Sequence, residues 1–197
     1  MQIEKAAILD LKPAQFAIGL LEVEAKMKEY AQMSREEFHA YTEAHPVPVV
    51  KSDHGDYIID HHHLCRAFHE LGHRNIHIYQ KADFSALRDE KFWQEMERAA
   101  WVLPQDQFGT LHPCHHLPID IRGMADDPYR SLVWKLKELG AWQKVDEPFA
   151  EFKLANFLRD KVEIRNTVES FGQAVLSAVH YLQTAPKSAL AGVPGLG

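Results

Sequence analysis

Residues 47–72 constrain this chain more than any other segment. Val47-Pro48-Val49-Val50 and Tyr57-Ile58-Ile59 are two β-rich runs. Between them, Asp53-His54-Gly55-Asp56 supplies the small polar residues and the glycine of a hairpin turn. Asp60 follows the second run, and a stretch from His61 to Leu71 ends at Gly72. That order predicts strand, turn, strand, and then a helix capped by Asp60 and stopped by the glycine. A strand running straight into a helix N-terminus presents backbone N–H groups and the positive end of the helix dipole, which together attract anions.

Three consecutive histidines, His61, His62 and His63, fall in the first turn of that helix. Charged imidazoles are repelled there by the dipole. They are compatible with the site when neutral, when Asp60 offsets them, or when a bound phosphate does. The last case predicts imidazole donors converging on phosphoryl oxygens, with Arg66 one turn on adding a forked contact. Asp60, His61, His62, His63 and Arg66 are the resulting phosphate-binding candidates. The plainer alternative makes Asp60 a cap and the histidines surface filler.

The rest of the chain organises around this junction. A strand is expected over 6–9, broken by Leu11-Lys12-Pro13. Helices are expected over 19–31, 35–44 and 85–101, with a strand over 75–79. Residues 104–118 hold three prolines, a glycine and a second histidine cluster, and read as a loop. Helices follow over 131–140 and 149–159, then a long final helix over 160–183. Residues 185–197, rich in glycine and proline, are expected to fray. The reading is an α/β (α+β) core over 1–103, a loop and helical extension packed on it over 104–184, and a flexible tail over 185–197.

Charge narrows the partners. With 28 Asp and Glu against 22 Lys and Arg, the net charge is −6. A whole-surface grip on nucleic acid needs the opposite balance, so a nucleotide or small phosphorylated substrate is favoured. No apolar run approaches the roughly 20 residues of a membrane span, and the N-terminus lacks a secretory apolar segment. Two cysteines make no disulfide framework, so a cytoplasmic setting is expected.

Other residues carry candidate chemistry. His112, Cys114, His115 and His116 are the side chains of a transition-metal site, though not at a standard spacing. The same loop is also read as a lid that closes over the phosphate site. Asp126 and Asp127 suit magnesium with substrate phosphates, or a helix start with Asp127 as cap and Pro128 next. Glu22 and Glu24 each have a lysine four residues on, so a solvated ion pair competes with a catalytic role. Helical projection puts Glu24 nearer the apolar face. The phenylalanines Phe149, Phe152 and Phe157 read as core, as do Trp134 and Trp142.

Leu11-Lys12-Pro13-Ala14-Gln15, Gly19, Glu22-Val23, Lys26 and the Asp60–His63 junction together resemble the ParB-like nuclease family of the ParB/sulfiredoxin superfamily. Leu117-Pro118, Asp126 through Leu132, Phe149-Ala150-Glu151-Phe152 and Phe157-Leu158-Arg159 extend the resemblance to about residue 160. It implies a small mixed-sheet core holding a nucleotide (ATP, ADP or CTP, with Mg²⁺) or another phosphate at the junction. Kinase- or nuclease-like phosphoryl chemistry follows, with Glu22 as base and His62 and His63 as catalytic partners. No glycine precedes the histidines, which implies a less close backbone approach to phosphate, and no cysteine lies among them as in the superfamily's sulfinate reductase, which argues against that activity. A DNA-binding partition-type factor and a histidine-rich metal-binding protein are the alternatives.

Overall fold

The computed structural model describes residues 2–165 and 168–196. Two units emerge: residues 1–18 with 23–126, and residues 19–22 with 127–197. The division at 126/127 replaces the expected one at 103. The loop with the second histidine cluster therefore belongs with the sheet, because Cys114 and Leu117 are buried with Ala14, Val50, Phe92 and Met96 in one apolar cluster.

The first unit is built on a five-stranded mixed sheet, in the order β1 (Ile3–Ala7), β6 (Asn75–Asp83), β4 (Val47–Ser52), β5 (Gly55–Ile58), β2 (Lys12–Pro13). β4 and β5 form the predicted antiparallel hairpin, with Ser52 opposite Gly55. Gly55, at φ 117°, takes a backbone conformation that side chains disfavour. Ser52 Oγ locks the turn by accepting from the His54 N–H and donating to the Gly55 carbonyl. β4 pairs with β6 on its other side, in parallel. Val47, Val49 and Val50 are almost wholly buried, as a central strand requires.

Lys12-Pro13, expected to interrupt a strand, forms one of its own, parallel to Tyr57-Ile58 of β5. Its place at the sheet edge explains why proline is tolerated. The strand expected over 6–9 lies earlier, as β1, and Ile8–Asp10 turn as a short 3-10 segment. Helix α2 (Arg35–Ala44) has the expected bounds and is fixed by a Ser34/Glu37 capping box. Helix α4 (Asp89–Arg98) starts four residues later than expected, because Asp83 bonds the Ser85 amide and hydroxyl and holds a turn there. A short parallel pair, β3 (Ala17–Ile18) with β7 (Ala125–Asp126), completes this unit.

The second unit packs α5 (Pro128–Glu138), α6 (Ala150–Arg159) and α7 (Val168–Thr184) around Leu132, Leu136, Trp142, Leu154 and Leu158. Phe152 and Trp142 are core residues, as expected. Asp160 is not the start of a long helix but the residue that ends α6; residues 162–165 are irregular, and Asn166 and Thr167 lie outside the described residues. The described residues of the tail, 185–196, pack within the second unit. A short helix, α8 (Lys187–Leu190), leads to buried Leu190 and Val193, and Trp142 Nε1–H donates to the Pro194 carbonyl at 2.7 Å.

Candidate functional site

β5 passes into α3 (His62–Glu70) through three residues. The cap is His61, not Asp60: His61 adopts the left-handed conformation (φ 65°) and supplies no side-chain acceptor to the helix. Asp60 Oδ1 instead accepts the N–H of His61 at 2.7 Å and fixes the turn. The left-handed kink lets the chain change direction in one residue, at a cost of about 1 kcal/mol for a non-glycine.

The three histidines have separate fates. His62 is only 3% exposed, and its Nε2 accepts the N–H of Ala14 at 3.3 Å. An accepting Nε2 means a neutral ring with its proton on Nδ1. His62 therefore ties the residue after β2 to the residues after β5, and the carboxyl ends of these two parallel strands are held together. His61 and His63, by contrast, are only partly buried. Arg66 does not reach back toward the helix start: its Nε donates to Glu70 Oε1 at 2.6 Å and its Nη1 to the Ile121 carbonyl at 3.2 Å. The i,i+4 carboxylate draws the guanidinium along the helix rather than to its N-terminus.

The second histidine cluster is split among different partners. His112 Nε2 meets Asp106 Oδ2 at 2.7 Å, and its ring packs on Phe16 with centroids 5.5 Å apart. Burial opposes ionisation of Asp106. Hydrogen bonds from His112 and from the Thr110 and Phe108 amides outweigh it and hold the carboxyl below its ordinary pKa. Cys114 is buried beside Glu97, and burial pushes its thiol up to about 11. His115 and His116 pack edge-to-face on each other. Among the described residues, no three His, Cys, Asp or Glu side chains gather as a metal would require. The imidazoles on either side of Cys114 hide from the sequence that it is buried with the core.

In the second unit, Asp127 caps α5 by accepting the Tyr129 N–H at 3.0 Å and pairs through its other oxygen with Arg159. It is 1% exposed. Both oxygens are engaged, so Asp127 fits a structural cap and ion pair rather than a magnesium ligand. Asp126, on β7, is exposed. Ser131, wholly buried, accepts the Leu21 N–H on its Oγ at 3.2 Å, at the start of α1 (Leu20–Tyr30). Arg130, which spacing alone does not single out, lies with its guanidinium carbon 3.6 Å from the Phe152 ring centre. Burial lowers its pKa; Glu151, Asp127 and Glu22 act against that. Glu22 is half-buried in this charged group, whereas Glu24 is exposed, the reverse of the helical projection.

A mixed sheet that feeds a left-handed strand-to-helix junction, followed by a helical unit, makes this an α+β protein. The chain belongs to the family described as Putative ParB-like nuclease, which it matches over residues 4–160. Among solved structures it is similar to the crystal structure of protein Atu1540 from Agrobacterium tumefaciens. Identity is 33%, the match covers 100% of this chain and 98% of that one, and the TM-score is 0.87. No curated protein matches. Among the described residues, no helix is long and apolar enough to cross a membrane.

Proposed function

We propose that this protein binds a phosphate ester, a nucleotide or a phosphodiester, at the start of α3 and carries out nuclease- or phosphotransferase-type chemistry on it. One observation carries the reading: the carboxyl ends of parallel β2 and β5 meet at a helix N-terminus whose cap residue, His61, offers it no side-chain acceptor. Such a terminus favours a bound anion. His61 and His63 are the proposed phosphate contacts and His63 the proposed proton donor or acceptor, since neutral imidazole serves both roles near pH 7. His62 acts as a positioning residue through Ala14, and Asp60 by holding His61.

Titration calorimetry with ATP, ADP, CTP and a short single-stranded oligonucleotide, each with Mg²⁺, tests this. His61→Ala and His63→Ala should each weaken binding about tenfold, the loss of roughly 1.4 kcal/mol. Unchanged affinity in both variants refutes the junction as the site. Binding of oligonucleotide alone, with no turnover, favours the partition-type alternative, and a stoichiometric metal in untagged protein favours the metal-binding one.

A further inference from the structure

A second group of histidines lies away from the junction, in the same unit. A cavity of about 290 Å³ opens beside β1, α2 and the turn before β6. That volume is close to the lower end of small-ligand pockets, roughly 300–1,000 Å³. Lys5, Arg35 and Arg74 line it, together with His39, His73 and His77. No Asp or Glu does, in a chain whose acids outnumber its lysines and arginines by 28 to 22. Among the described residues no carboxylate pairs with those three cations. Lys5 stands directly opposite His77 across the antiparallel β1–β6 ladder, so both side chains share a face.

The walls are held in place. The His73 ring stacks on Phe38 at 3.6 Å and 13°. His39 meets His77 edge-on, with centroids 4.6 Å apart. His77 is 6% exposed, and its Nδ1 lies 2.7 Å from Thr42 Oγ1. The same hydroxyl also lies within hydrogen-bond reach of the Phe38 and His39 carbonyls, at 3.0 and 3.3 Å. The ring is anchored through Nδ1, and both ring nitrogens carry hydrogens when it is charged.

We propose that this cavity binds a small dianion, a phosphate monoester or the phosphate of a nucleotide, through Lys5, Arg35 and Arg74, and that His77 takes up a proton as it binds. Three permanent cations without a lining carboxylate form a site that attracts a dianion. Burial, His39 and Lys5 hold His77 below its ordinary pKa in the empty cavity, opposed only by Glu43, which sits 3.7 Å from His39. A dianion next to the ring reverses that balance. His73, also depressed by burial, gains in the same direction.

The test is calorimetric titration of the full chain with inorganic phosphate, ribose 5-phosphate and AMP, run in two buffers of different ionisation enthalpy. Saturable binding with net proton uptake is expected. The exposed pair Arg35→Ala/Arg74→Ala should weaken it at least tenfold, and the same loss is expected when that pair is introduced into a His61→Ala/His63→Ala background, in which the α3 junction is already weakened. Equal affinity for ribose 5-phosphate and AMP identifies the phosphate as the recognised group; tighter AMP binding identifies a nucleotide site. Proton uptake should fall in His77→Gln. No binding of any probe at millimolar concentration, or full affinity in the arginine variant, overturns the site. Loss of affinity only in the His61/His63 pair assigns the phosphate to the α3 junction instead.

Discussion

Gly19→Ala is the sharpest test of how the second unit is put together. A Cβ at residue 19 would lie 2.6 Å from both the backbone nitrogen and the Oγ of Ser131, and 2.9 Å from its Cα. Ordinary contacts begin near 3.4 Å, so Ser131 must retreat by most of an ångström. Two of the three atoms are backbone, so no rotamer change relieves the clash. Ser131 is also the partner of the Leu21 amide, and its retreat breaks that hydrogen bond inside a wholly buried site. Overpacking costs about 1–3 kcal/mol, and the lost hydrogen bond adds about 1 kcal/mol. A loss of about 2–4 kcal/mol is therefore expected, a large part of a typical domain's stability. Urea denaturation followed by circular dichroism measures it. Gly172→Ala is the matched control: it sits exposed in the interior of α7, with nothing within 4 Å of the added carbon. Helix propensity alone makes that variant more stable by about 0.5–1 kcal/mol. Adding Ser131→Gly to Gly19→Ala should not restore stability, because the clash with the backbone nitrogen remains. If Gly19→Ala unfolds within about 0.5 kcal/mol of the wild type, the close approach of residues 19 and 131 is wrong.

His61→Gly should raise stability by about 0.5–1 kcal/mol, because glycine accepts φ 65° without strain, while weakening nucleotide binding; a lowered melting temperature would count against the left-handed cap. Burial pushes the thiols of Cys65 and Cys114 up to about 12 and about 11. Neither should react with a thiol reagent in the native protein near pH 8, and both should react once it is unfolded. Fast native labelling would refute the core placement of Cys114. Asp106 and Asp120 have folded pKa values below the ordinary 3.8, so their stabilisation is complete above that value and is lost as pH falls through the lower folded ones. Asp106→Asn should flatten the acid limb of the stability curve, and an unchanged limb would exclude the Asp106–His112 contact as its source. His73 and His77 are depressed below 6.5, so stability should also decline as pH drops below that value. A melting temperature flat between about pH 7 and pH 5 would contradict this.

Residues 47–72 were legible because each signal is local. Two β-rich apolar runs, a glycine in the turn and a glycine stop each act within a few residues, and β4, β5 and α3 follow from them. The helix bounds of α2 were equally plain, since Ser34 and Glu37 are three residues apart. Two of the failures involve partners distant in sequence. Nothing near Lys12-Pro13 announces a strand, because its ladder partner lies 45 residues on. The tail looked loose because the acceptor that anchors it, the Pro194 carbonyl, is bonded by Trp142.

The same distinction separates residues that carry chemistry from residues that resemble it. A histidine run, an arginine one turn on and a cysteine among imidazoles share the composition of a binding site. What each does depends on whether a nearer partner claims it. His62 is claimed by the Ala14 amide, Arg66 by Glu70 and the Ile121 carbonyl, Asp127 by Arg159, and Cys114 by the core. Each is a side chain that burial would leave costly if it were unpartnered, so folding satisfies it first. The cations of Lys5, Arg35 and Arg74 sit at the rim of a cavity, where water satisfies them and no carboxylate competes for them. The sequence hid that site because its six charged and imidazole groups come from β1, α2, the turn before β6 and β6 itself, spaced from residue 5 to residue 77. A site assembled from such separated residues is read from geometry, whereas a run of like residues at one helix start is read from sequence before its partners are known.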